Sequence, residues 1–286
     1  MLTVTLVHDK QFIDTKDPRL ENAISYHWAE GAALLNHKLC HGFAHDERDA
    51  LWACAGMLAC LGFASYTART PAEAWPLKVE EASDLDWLKM CQGKKEIWKL
   101  ADPTRSDSLF SPLTANFGRT SYVPPSLVRD TMDTEDDTDM RRLARFCNID
   151  TTIRTLTQEN NIYYGTLAVL TTLRPLRCDA STIMRFLSFF GCMHPSFGRR
   201  LQARDPAAML LLAFWYAKVS HYKQWWLWPR ADGECQSICM FLSWQHANDE
   251  RVGRLIRDVR HIYDFDRCVS PITAIHNVHR HLVCSI

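Results

Sequence analysis

Apolar residues recur at three- and four-residue steps through most of this chain, the period of amphipathic helices. Over 20–39 the positions Leu20, Ala23, Ile24, His27, Trp28, Ala32, Leu35 and Leu39 fall on one stripe. Leu51, Cys54, Leu58, Leu61 and Phe63 predict a second helix, with Asp46 or Asp49 placed to cap it. Ser83, just ahead of Asp86, makes a weak capping box for a helix through Leu85, Trp87, Leu88 and Met90. Gly93 interrupts that helix and leaves 94–100 as a separate short piece. Pro103, Pro112, Pro124 and Pro125 then break any long helix. The acidic run 130–139 reads as a solvated, mobile loop. It lacks the central glycine and terminal glutamate of a calcium loop.

Helical periodicity returns over 138–146, 151–173 and 181–190. Asp205 followed by Pro206 is a strong start signal, a capping carboxylate before a proline at the first helical position. The helix it opens is expected to reach about Tyr222, with later helices over 234–244, 249–259 and 273–281. One segment dissents: Thr3, Val4, Thr5, Leu6 and Val7 are mostly β-branched and suit a strand. The pattern predicts an all-α fold, one domain over 1–286 with about ten helices and no sheet beyond two short strands.

Composition narrows the function classes. The 33 basic and 33 acidic side chains balance, whereas a protein that grips phosphates usually presents a net basic face. Direct DNA binding is therefore not expected. The stretch 50–68 carries no charge, but Cys54, Gly56, Cys60, Gly62, Ser65, Tyr66 and Thr67 make it a buried helix rather than a membrane span. Neither membrane insertion nor a secretory signal is expected, which places the protein inside the cell, in cytoplasm or nucleus. The 11 cysteines are odd in number and scattered in apolar runs, with no C-x-x-C pair. They read as reduced small hydrophobes, with no structural metal. Cys235 and Cys239, one turn apart, read as core.

Two segments carry a family likeness. The first, 74–110, reads AWPLKVEEASDLDWLKMCQGKKEIWKLADPTRSDSLF; the second, 205–226, reads DPAAMLLLAFWYAKVSHYKQWW. Together they resemble the C-terminal regulatory domain of fungal binuclear zinc-cluster transcription regulators, the group that includes sterol-uptake-control proteins. Asp84, Trp87, Leu88, Gly93 and Trp98 match that pattern residue by residue. The resemblance implies an all-helical effector domain, makes 3–7 a helix, and places a ligand pocket near the second segment. It also implies that a six-cysteine DNA-reading cluster should precede the domain, and none stands before it here. Over the last thirty or so residues the likeness fades.

Candidate chemistry is sparse. His37, His41 and His45 would share one helical face, as zinc ligands can, but a surface stripe explains them as well. His276, His279 and His281 form a second cluster that reads as a polar tail. There is no G-x-S-x-G elbow and no glycine-rich phosphate loop, so no cofactor is expected. The densest feature is aromatic: Phe214, Trp215, Tyr216, Tyr222, Trp225, Trp226 and Trp228, with His221 and Lys218 among them. Such a stripe is usually core, yet its indoles and hydroxyls would also suit a cavity that orients a large apolar ligand.

The expected site is a pocket for a hydrophobic small molecule, a sterol, terpenoid or polyketide-like metabolite. Its expected lining is Trp52, Met57, Trp87, Phe214, Trp215, Tyr216, His221, Trp225 and Trp226. On the first reading the chain is a ligand-responsive regulatory module that works through a protein partner or as a homodimer. On the second it is a cofactor-free natural-product enzyme whose cavity folds its substrate into a cyclisation, such as a Diels–Alder-type reaction. A purely structural interaction protein is a third reading, and it gives the aromatic cluster no use.

Overall fold

Asp205 and Pro206 nucleate the element around which the rest is arranged. The computed structural model describes residues 2–12, 17–114, 138–149 and 160–265. Within it the Asp205 carboxylate accepts from the Ala208 amide at 3.0 Å and from the Tyr163 hydroxyl at 2.9 Å. That caps a helix, Pro206–Val219, in which every residue but Pro206 and Lys218 is buried. A helix that is apolar on all sides must sit at the centre of the packing.

In chain order the helices are α1 (Leu2–Phe12), α2 (Pro18–His41), α3 (Arg48–Ala64), α4 (Asp86–Ala101), α5 (Ser111–Thr114), α6 (Asp139–Phe146) and α7 (Tyr164–Leu173). They continue with α8 (Ile183–Gly191), α9 (Phe197–Gln202), α10 (Pro206–Val219), α11 (Trp228–Gln245) and α12 (Glu250–Phe265). No strand occurs among the described residues, so the fold is all-α and multi-helical. None of these helices is long and apolar enough to cross a membrane. Helix α10 is surrounded by α6, α7, α8, α9, α11 and α12. Helix α3 lies against α4 and α11, α4 reaches across to α8, and α1 and α2 pair on the outer side of α3. The main core extends from Phe63 to Tyr263. Two smaller clusters, one around Val7, Leu61 and Ala64 and one around Leu35, Leu51 and Ala55, seat α1 and α2.

Several local expectations change. Residues 3–7 lie in α1, as the family resemblance implied and their β-branching did not. Neither Asp46 nor Asp49 caps α3: Glu47 holds the cap position with no side-chain bond, behind a short 3-10 turn over His45–Glu47. Asp49 instead ties down the chain beyond α4, accepting from Arg105 Nη2 at 2.7 Å, Ser108 Oγ at 2.8 Å and the Leu109 amide at 2.8 Å. Ser83 gives no capping box, since Leu85 precedes α4 without a side-chain cap. Gly93 does not end a helix. Helix α4 runs through it to Ala101, and Asp102 takes the left-handed position at φ 43°. Packing along α3 overrides the local weakness of one glycine.

The helix opened by Asp205 stops at Val219 rather than near Tyr222, so the aromatic run is split. Trp225 and Trp226 belong to the connection into α11, which begins at Trp228 with a proline in its first turn. The later expectations hold in outline as α11 and α12. The 130–137 part of the acidic run, the 151–159 part of one predicted helix, and the predicted helix over 273–281 with its histidines lie outside the described residues.

The position of Gly93 gives a direct check on the α4 assignment. A β-carbon built there meets nothing within 4 Å. Gly93→Ala should therefore raise stability by about 0.5–1 kcal/mol, measured by urea unfolding, because alanine loses less backbone entropy in a helix. A glycine that ended the helix would give a loss instead.

Candidate functional site

Small residues on one face of α3 leave room that large ones elsewhere would fill. Gly56, Ala59 and Cys60 lie between Trp52 and Phe63 and face α4 and α8 across a cleft of about 330 Å³. That volume is at the lower end of the range for ligand pockets. At one end Trp52 meets Trp98 of α4 edge to face, centroids 4.9 Å apart. At the other, Phe63 meets Trp226 at 6.4 Å and Phe190 at 6.5 Å, and Leu187 adds to the wall. Lys94 enters from α4, its Nζ 4.5 Å from the centre of the Trp52 ring. Desolvation pulls the Lys94 ammonium below its ordinary pKa. It pushes the neighbouring thiols of Cys60 and Cys91 up, Cys91 to about 12, so both stay protonated and are poor nucleophiles.

Behind Phe63 the surroundings turn polar. Arg230 on α11 is buried, and its Nε donates to the Phe63 carbonyl at 2.8 Å. Its Nη2 reaches the Gly62 carbonyl at 3.5 Å and that of Ser65 at 3.4 Å. These are carbonyls at the C-terminal end of α3, the groups a helix leaves unpaired and where its dipole favours a cation. Nη1 donates to Glu234 at 2.5 Å, and the other Glu234 oxygen accepts from the Tyr216 hydroxyl at 2.6 Å. Burial raises the Glu234 carboxyl, with Arg230 and Tyr216 opposing. The guanidinium also lies 5.2 Å from the Trp87 ring and 5.4 Å from that of Tyr66. A second cleft of about 350 Å³ opens beside this group, bounded by Tyr66, Lys78, Asp84, Trp87, Arg230 and Glu234. Burial and the nearby Glu234 push the Tyr66 hydroxyl up to about 12. Trp87 Nε1 is buried there with no hydrogen-bond partner.

The expected site residues disperse among these places. Trp52 and Trp226 line the apolar cleft, together with Trp98, one of the residues that match the family pattern. Trp87 borders the polar cleft. Phe214, Trp215 and Tyr216 are core: each is at most 1% exposed, and none lines either cleft. Their polar tips are used internally, Trp215 Nε1 donating to the Phe186 carbonyl at 2.9 Å and Tyr216 donating to Glu234. His221 lies at a third cleft, with its Nε2 3.0 Å from the Ile262 carbonyl. Trp225 packs under α1 and meets His8 edge to face at 5.4 Å. Met57 is half-buried on α3 and does not line the apolar cleft.

Gly56, Ala59, Phe63, Lys94, Phe190, Arg230 and Glu234 were not anticipated at a site. The clearest missed signal is Lys94, which stands three residues after Cys91 and four before Trp98, a cation on an apolar helical face. Arg230 and Glu234, four apart in a largely buried helix, are a second such signal. His37 and His41 stack on each other with centroids 4.3 Å apart. Among the described residues no three His, Cys, Asp or Glu side chains gather where they could hold a metal.

The Arg230 group should behave as one unit. Glu234→Met should cost about 3–5 kcal/mol in urea unfolding, because it strands a buried guanidinium, and adding Arg230→Met should recover part of that loss. Strictly additive losses would show that the two side chains act independently.

No family model matches the chain, and no curated protein or solved structure does either.

Proposed function

We propose that this chain is a helical domain that binds a hydrophobic small molecule in the cleft between α3, α4 and α8, as a ligand-responsive regulatory module. The observation that carries the reading is the row Gly56, Ala59, Cys60, small side chains held open between the aromatic groups Trp52, Trp98, Phe63 and Phe190. Close-packed interiors rarely leave such a gap unfilled. Aromatic walls with few polar groups suit a terpenoid, sterol or polyketide-like skeleton, the class that the resemblance to zinc-cluster regulator domains also suggests. The Arg230 group supports the reading indirectly, since it anchors the Phe63 end of the cleft to the core. Through that anchor a ligand pressing on Phe63 is coupled to α11, whose exposed Met240 and Trp244 offer a surface for a protein partner.

Nile red, an uncharged dye that brightens in apolar surroundings, is a suitable probe. Ala59→Leu should weaken its binding by about tenfold or more, the equivalent of about 1.4 kcal/mol, while the melting temperature holds. Trp215→Ala should do the reverse, costing about 3–5 kcal/mol of stability and losing dye binding only in proportion to unfolding. Dye binding indifferent to Ala59→Leu would remove the cleft from consideration.

A further inference from the structure

Four half-buried or buried cations of this protein are matched with carboxylates. Lys78 pairs with Asp84 at 2.6 Å, Arg105 with Asp49 at 2.7 Å, Arg142 with Asp258 at 2.8 Å and Arg230 with Glu234 at 2.5 Å. Lys94 differs from these four. Among the described residues no carboxylate pairs with it, and its only polar neighbours of note are the protonated thiols of Cys60 and Cys91. Its ammonium is held over the Trp52 ring, and Gly56 opposite leaves it room, a β-carbon there standing 3.7 Å from Nζ. The ring face offsets part of the lost hydration but supplies no hydrogen-bond acceptor. An ammonium has three donors to satisfy. The empty side of that group is the cleft.

We infer that the natural occupant of the apolar cleft is an amphiphilic carboxylate whose head group pairs with the Lys94 ammonium. The inference rests on the cleft being the binding site and specifies what enters it. The head would lie at the Trp52 and Trp98 end. The hydrocarbon body would run along α3 toward Phe63, Phe190 and Trp226, a path of roughly 16 Å for the eleven helical steps from Trp52 to Phe63. A carboxylate fits better than a phosphate monoester. One ammonium balances one negative charge, whereas a phosphate near its second ionisation carries almost two and favours several donors. The other lysines at this cleft do not supply them: Lys95 and Lys99 are exposed, and Lys99 is engaged with Glu96 at 2.9 Å. The lowered proton affinity of Lys94 agrees with a cation awaiting its counter-charge. Pairing with a carboxylate in a low-dielectric cleft would restore it.

The test is displacement of bound Nile red by dodecanoate, 1-dodecanol and dodecyl phosphate, which share a chain and differ in head group. The wild-type protein should prefer dodecanoate to dodecanol by roughly tenfold, as a charge-assisted bond in a partly buried setting provides. On Lys94→Met the acid and the alcohol should compete equally, read as the ratio of the two on that variant whatever its own dye affinity, and Lys94→Arg should keep most of the preference. Equal competition by acid and alcohol on the wild type, a preference that survives Lys94→Met, or stronger competition by the phosphate would each overturn the inference. In those outcomes dye and alcohol still bind, so the apolar cleft stands as a site. Failure of the dye and every competitor to bind would overturn both.

Discussion

The buried guanidinium of Arg230 joins the two halves of this architecture. It arises from α11, which packs along the central helix α10, and it ends on the last carbonyls of α3, which belongs to the outer layer. Without that donor the Phe63 carbonyl would lose its partner at 2.8 Å, and without Glu234 the guanidinium would carry an uncompensated charge into the core. Each partner is costly alone. Tyr216, at the middle of α10, closes the set by donating to Glu234. The chain Tyr216, Glu234, Arg230, Phe63 thus runs from the central helix to the wall of the apolar cleft. The Tyr66 ring packs directly on α11 beside it: a β-carbon at Gly233 would stand 1.8 Å from the Tyr66 hydroxyl oxygen, so a larger residue there would push that ring aside.

The outer layer follows from that anchor. With the end of α3 fixed by Arg230 and its start joined through Asp49 to the segment beyond α4, both ends of the α3 and α4 pair are held. A cleft between two held helices can persist without collapsing onto its small residues. This separates the gap beside Ala59 from a packing flaw, which neighbouring side chains would partly fill. It also explains how a lysine stays half-buried over Trp52 instead of swinging out to water. Between those held helices the cleft presents aromatic walls and the half-buried Lys94 ammonium.

The fold was legible where a signal was local. The Asp205 and Pro206 start of α10, the stripe of α2 and the apolar run of α3 needed no tertiary information, and the all-α class follows from them. Signals failed where tertiary contacts outweighed them. Gly93 is a helix breaker only when nothing else holds the helix, and Asp49 found better donors in Arg105 and Ser108 than a helix end offers. The site was half legible for a related reason. Phe214, Trp215 and Tyr216 lie in a helix buried on every side, where periodicity has no face to reveal. Their polar tips, read as ligand contacts, are the internal bonds that allow such residues in a core. Trp52 and Trp226, expected in the pocket lining from the density of aromatic residues, do border the apolar cleft. Lys94 was visible as a cation within an apolar stripe, but its meaning depends on the carboxylates that stay away from it, and only the folded chain shows those.

Ligand entry between α3, α4 and α8 would be reported most directly by the indole resonances of the protein. In a spectrum of nitrogen-15-labelled tryptophan side chains titrated with Nile red, the signals of Trp52, Trp98 and Trp226 should shift together and saturate at one dye per chain. Trp215, sealed in the core with its Nε1 on the Phe186 carbonyl, should not move. Shifts confined to Trp87, Trp228 or Trp244, or a saturable dye signal with no change at Trp52 and Trp98, would place the dye outside this cleft.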